Sequence, residues 1–168
     1  MASDNNYVEC LVASKASPVI TLLKYITLIL AIFSFLAFIL IGFIGLIFLV
    51  LFGVAYYFLS LNANIEFEYQ YCDREITVDK ILNKSKRKNV GKYDVAKIEV
   101  MAPSRSYHLD EYKNKTLKVL DYSAREKNPQ PDPTYTIIYD GKEKLILEPD
   151  SDLVAAIKNV APRKVFTD

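Results

Sequence analysis

With one histidine and two cysteines in 168 residues, the chain has little of the chemistry that metal centres and activated nucleophiles draw on. His108 is the single imidazole, so a centre built on several histidines is excluded. Cys10 and Cys72 are too few for a disulfide framework. Cys72 stands beside Asp73, Arg74 and Glu75 with no histidine near in sequence, whereas a catalytic thiolate needs an electropositive, base-assisted setting. The five glycines form no phosphate-cradling loop. Tryptophan is absent, and no segment interleaves aromatic and basic residues as single-strand nucleic-acid binders do. These absences argue against an enzyme, against a bound cofactor and against a nucleic-acid partner.

The longest absence is of charge. Between Lys24 and Glu66 the 41 residues Tyr25–Ile65 carry none, and most are Leu, Ile, Phe, Val, Ala or Gly. A bilayer core asks for about 20 apolar helical residues per crossing. One helix of this length would extend about 60 Å, against a hydrocarbon thickness of roughly 30 Å. Two crossings fit, with the reversal at Gly42-Phe43-Ile44-Gly45, because glycine admits the positive φ of a tight turn. One long helix with its excess buried in protein is the alternative. The pattern predicts a transmembrane hairpin over 18–62, with helices at 18–41 and 45–62, and Pro18 suits a first helical position. Folded this way, Tyr25, Tyr56 and Tyr57 approach one membrane face, where Lys24 can snorkel. Bases at Lys15, Lys24 and beyond residue 73 contrast with the uncharged reversal. The positive-inside rule then puts the protein in the plasma membrane with both termini cytoplasmic. The first 14 residues hold Asp4 and Glu9 and no base, unlike the start of a secretory signal. Residues 1–17 read as a polar cytoplasmic tail, with a short helix at 7–13.

Residues 63–168 read as a cytoplasmic β domain. Residues 66–168 hold 19 of the 21 Lys and Arg and 18 of the 20 Asp and Glu, a mixed surface over one modest core. Ile65, Phe67, Tyr69 and Tyr71 alternate with Glu66, Glu68 and Gln70, the pattern of a half-buried strand. Further strands are expected at 75–82, 88–91, 93–101, 116–122, 134–139 and 144–148. A polar loop is expected at 102–114, and a second at 123–133, where Pro129, Pro131 and Pro133 forbid a ladder. Asp140-Gly141 marks a hairpin turn. A final amphipathic helix is expected at 151–161, capped by Asp150 or Ser151, with Leu153, Ile157 and Val160 on its apolar stripe.

Seven strands closed by a C-terminal helix resemble the element order of a pleckstrin-homology-like barrel. Another small barrel, or a sandwich with an appended helix, also fits that order. The whole chain further resembles an uncharacterised family of small bacterial membrane proteins with a membrane hairpin and a soluble domain of unknown function. Four stretches carry that resemblance: Lys84-Ser85-Lys86-Arg87-Lys88, Ile98-Glu99-Val100-Met101-Ala102-Pro103, Leu109-Asp110-Glu111-Tyr112 and Ala161-Pro162-Arg163-Lys164-Val165-Phe166. It implies an architecture and no activity.

The feature with most chemistry is a basic segment, Lys84, Lys86, Arg87, Lys88 and Lys92, which contains no acid. The first strand after the hairpin starts at the bilayer and runs outward roughly 25 Å at about 3.3 Å per residue. The second returns, so 83–89 comes back beside the lipid. Each juxtamembrane base there adds about 1 kcal/mol of attraction to an anionic leaflet. The five bases are therefore candidate contacts for anionic lipid headgroups; a solvated turn that only sets topology is the alternative. His108, Asp110 and Glu111 form a weaker candidate set for a metal, with no particular spacing. The expectation is a membrane-anchored, non-enzymatic binding or scaffolding protein, with lipid or an unknown protein as partner. An accessory subunit of a larger membrane complex, assembled through small residues of the hairpin such as Ala31, Ser34, Gly45 and Gly53, is the alternative.

Overall fold

A computed structural model describes residues 7–15, 18–126 and 131–168, so the ends of the expected tail at 1–6 and 16–17, and Pro129 in the proline-rich loop, lie outside the described residues. The chain divides into two compact units. One comprises residues 15–65 with 82–86, and the other residues 66–81 and 87–168 with the N-terminal segment up to Ser14.

In the helical unit, α1 (Pro18–Ile41) and α2 (Phe43–Ala63) are joined at Gly42, whose φ of 76° only glycine adopts without strain. The reversal is tighter than the spacing suggests, and α2 begins two residues before Gly45. Gly42 N–H donates to Phe38 O at 2.9 Å and Gly45 N–H to Gly42 O at 3.0 Å. A Cβ on Gly45 would overlap the Phe38 backbone, so the helices can meet this closely only at glycine. Ser34, buried between apolar neighbours, satisfies its hydroxyl on Leu30 O at 2.7 Å. Both helices are long and apolar enough to cross a bilayer, each with a mean hydropathy of 2.4.

In the β unit the first strand is one the sequence reading assigned to a helix in a tail. β1 (Tyr7–Ser14) belongs to a four-stranded sheet with β2 (Ile65–Cys72), β3 (Glu75–Leu82) and β4 (Lys86–Asp94), in the order β1-β2-β3-β4. Val8, Cys10, Val12 and Ser14 are the more buried set and Tyr7, Glu9, Leu11 and Ala13 the exposed set, a period of two. A second sheet has the order β5-β7-β8-β6, from β5 (Ile98–Pro103), β6 (Lys118–Asp121), β7 (Tyr135–Tyr139) and β8 (Glu143–Leu147). The seven expected strands are thus joined by an eighth, and they form two sheets where one closed barrel was expected. Strand β6 runs parallel to β8, Lys118 opposite Glu143, while β7 and β8 form an antiparallel hairpin. The expected strand at 93–101 is broken instead by a 3-10 turn at Val95–Lys97, where the Asp94 carboxylate accepts from Ala96 N–H at 2.8 Å.

Three hairpin turns use the same solution. Asp73-Arg74, Asn83-Lys84 and Asp140-Gly141 each hold two successive residues at positive φ, the twist-matched two-residue turn. Helix α3 (Ser151–Val160) is capped by Asp150, which accepts from Leu153 N–H at 2.8 Å. Leu153 and Ile157 join Phe67, Tyr69, Ile76 and Val78 of the first sheet and Met101, Ile137 and Leu145 of the second among the buried side chains. A smaller apolar cluster, Val100, Ala102, Leu109 and Ile138 with Tyr112, Leu117 and Phe166, lies under Tyr107–Tyr112. The expected polar loop is therefore a packed 3-10 helix there. The free edge of β5 is taken up by the C-terminal segment: Met101 N–H donates to Lys164 O and Phe166 N–H to Met101 O, each at 2.8 Å.

Candidate functional site

The basic segment is built on a type I′ turn. Asn83 and Lys84 have φ of 48° and 56°, and asparagine is among the residues best suited to the left-handed region. Asn83 N–H donates to Asn64 O at 2.7 Å and Asn64 Nδ2 approaches Asn83 Oδ1 at 3.3 Å, so the turn is fastened to the residue that ends α2. Residues 82–86 consequently belong to the helical unit. Lys86 Nζ lies 5.9 Å from the centre of the Tyr57 ring, and Lys24 Nζ of α1 lies 5.9 Å from the centre of Tyr56.

The five bases differ in their partners. Arg87 pairs with Glu68 at 2.8 Å and Lys92 with Glu75 at 3.2 Å, both within the β unit. Among the described residues no carboxylate pairs with Lys84, Lys86 or Lys88. Lys88 lies near Lys80, whose ammonium is held below its usual range by burial and by the charges of Arg125 and Lys88. The segment thus splits into two spent cations and three available ones, and only Lys84 and Lys86 belong with the helices.

The residue that sequence reasoning missed is Glu68. It was expected on the polar face of β2, yet it is only 3 % exposed. Its Oε1 accepts from Arg87 and its Oε2 from Gln70 Nε2 at 3.0 Å. Burial first, then the neighbouring Glu9 carboxyl, pushes Glu68 up from the ordinary carboxylate range despite Arg87. Glu9 moves the opposite way because the Tyr7 hydroxyl donates to it at 2.7 Å. The neighbouring Asp79 accepts from Asn89 at 2.8 Å. The signal lay in three acids at alternating positions on consecutive strands, but it needs β1 to be recognised as a strand.

The other candidates are not assembled. His108 stacks on Phe166 with ring centres 3.6 Å apart, and its Nε2 is 3.9 Å from Asp168 Oδ1. Asp110 pairs with Lys113 at 2.6 Å. No group of three metal-type ligands occurs among the described residues. Cys72 is exposed, and desolvation with Asp73 beside it pushes its thiol up. Cys10 is buried, and burial raises its thiol further from ionisation.

A family model described as a bacterial PH-like domain, DUF6106, matches residues 4–167. No curated protein and no solved structure matches the chain.

Proposed function

Because the chain belongs to the bacterial PH-like domain family DUF6106, we propose that it is a membrane-anchored binding module whose β unit is held at the cytoplasmic face of the membrane. One observation carries this reading. Strands β1 and β2 are neighbours in one sheet, yet the two apolar helices lie between them in the chain. The hairpin is an excursion from the first strand-to-strand connection of a PH-like fold. A chain that leaves a sheet and returns to it crosses a bilayer an even number of times, which supports two spans with both flanks on one side. The uncharged reversal at Gly42 and the bases Lys15, Lys24 and Lys84–Lys92 favour the cytoplasm for that side. Binding is the role by analogy of fold, since PH-like sheets and their edges receive peptides or headgroups.

Cysteine labelling in intact cells tests the orientation. Exposed Cys72 is expected to react with a membrane-impermeant maleimide only after permeabilisation. Labelling of Cys72 in intact cells would overturn the cytoplasmic placement. A second reading, a subunit assembled through the hairpin, is favoured by Gly53, beside which a Cβ would meet no atom within 4 Å. That leaves room for close approach of another helix. Partner capture that requires the hairpin supports the second reading; capture by the β unit without it supports the first.

A further inference from the structure

The helical unit has a composition unlike the rest of the chain. Residues 15–65 and 82–86 include Lys15, Lys24, Lys84 and Lys86 and not one Asp or Glu. No acid of this unit stands against Lys24, Lys84 or Lys86, whereas Arg87 and Lys92, a few residues on, are ion-paired with Glu68 and Glu75.

The cations are also positioned. Tyr56 and Tyr57 are consecutive on α2, so their rings point about 100° apart around the helix. Each carries an ammonium 5.9 Å from its ring centre, Lys24 from α1 over Tyr56 and Lys86 from the start of β4 over Tyr57. The turn that presents Lys86 is locked by Asn83 N–H on Asn64 O. Tyrosine rings and lysine ammoniums at one level of an apolar helix are the side chains that settle at the headgroup layer.

We propose that this end of the hairpin is a binding site for anionic glycerophospholipid headgroups, with Lys24, Lys84 and Lys86 as the cationic contacts and Tyr56 and Tyr57 as the interfacial floor. The inference rests on the membrane reading above and narrows the lipid contacts. Lys24 joins the site, while Arg87 and Lys92 leave it because their charges are spent. The phosphodiester of the lipid supplies the anion, its acyl chains lie along the exposed apolar faces of α1 and α2, and both parts are met within one unit.

The test uses full-length protein reconstituted in bilayers of equal parts phosphatidylglycerol and phosphatidylcholine, with co-purifying lipid quantified after mild detergent extraction. The native protein is expected to retain phosphatidylglycerol preferentially. Each lysine near the surface is worth about a fivefold change, so the triple variant K24Q/K84Q/K86Q is expected to lose on the order of a hundredfold in that preference. The variant K24R/K84R/K86R keeps it, as does R87Q/K92Q. Preference unchanged in the triple Gln variant overturns the site. Equal loss in R87Q/K92Q also overturns it, because overall charge alone would then explain retention. Failure of the native protein to enter bilayers overturns the membrane reading and the site together, and is distinguished by extraction of the protein with alkaline carbonate.

Discussion

A carboxylate cut off from water needs a proton or a cation, and Glu68 draws on both. Arg87 reaches it from β4, but Arg87 is itself 54 % exposed and screened, so it only partly offsets the burial of the acid. Glu68 therefore takes up a proton more readily in the folded state than in the unfolded chain, while its ionised form remains the partner of Arg87. Its contribution to stability is whole below the ordinary carboxylate range and is lost as pH rises through its raised pKa. Glu9, held down by Tyr7, contributes in the opposite sense: its part is present above the ordinary range and fades as pH falls. Glu68→Gln preserves the shape and removes the first titration. The thermal midpoint of this variant, relative to native protein in detergent, is expected to be higher at about pH 8 than at about pH 4, straddling the ordinary carboxylate pKa. A difference that stays constant across that range means Glu68 does not titrate in the fold as described.

At the scale of elements, local signals were strong wherever the hydrogen bonds close within a few residues. Each of the three I′ turns is carried by one adjacent residue pair, and the cap of α3 by one carboxylate that accepts from the N–H three residues on. Asp150→Ala leaves the Leu153 N–H without its acceptor and is expected to cost about 1 kcal/mol, a fall of several degrees in the thermal midpoint. Asp150→Asn is expected to recover most of it, and an Asp150→Ala protein that melts with the native one would remove the cap from the account. Strand β1 was misread for the contrary reason. Eight residues with two valines and a small apolar set suit a helix or a strand, and the choice depends on whether a strand edge waits for them. The edge is β2, more than fifty residues later. Likewise Tyr107–Tyr112 looks polar, yet the outer face of the second sheet offers Val100, Ala102 and Ile138 for Leu109 to cover.

On the scale of the whole molecule, the two helices are inserted in the chain between β1 and β2, neighbouring strands of one sheet. Joining Ser14 to Glu66 through a short Asn-Gly turn, with residues 15–65 removed, is expected to give a soluble monomer with a cooperative melt. A protein that begins at Ile65 lacks β1, bares the edge of β2 and is expected to aggregate or lose cooperativity. Equal behaviour of the two in gel filtration and thermal unfolding would show that β1 is dispensable to the sheet. The apolar run itself was readable in the chain alone, because absence of charge over 41 residues is a property of composition that no folding partner alters. So were a reversal within residues 42–45, the strand periods of β2, β3, β7 and β8 and the basic segment, since each is written within a few neighbouring residues. Three things were settled only by tertiary structure: the return of β1 to the sheet, the burial of Glu68, and the division of the basic segment into paired Arg87 and Lys92 and available Lys84 and Lys86. Each depends on contacts between residues far apart in sequence, where a side chain's charge is known but its partner is not.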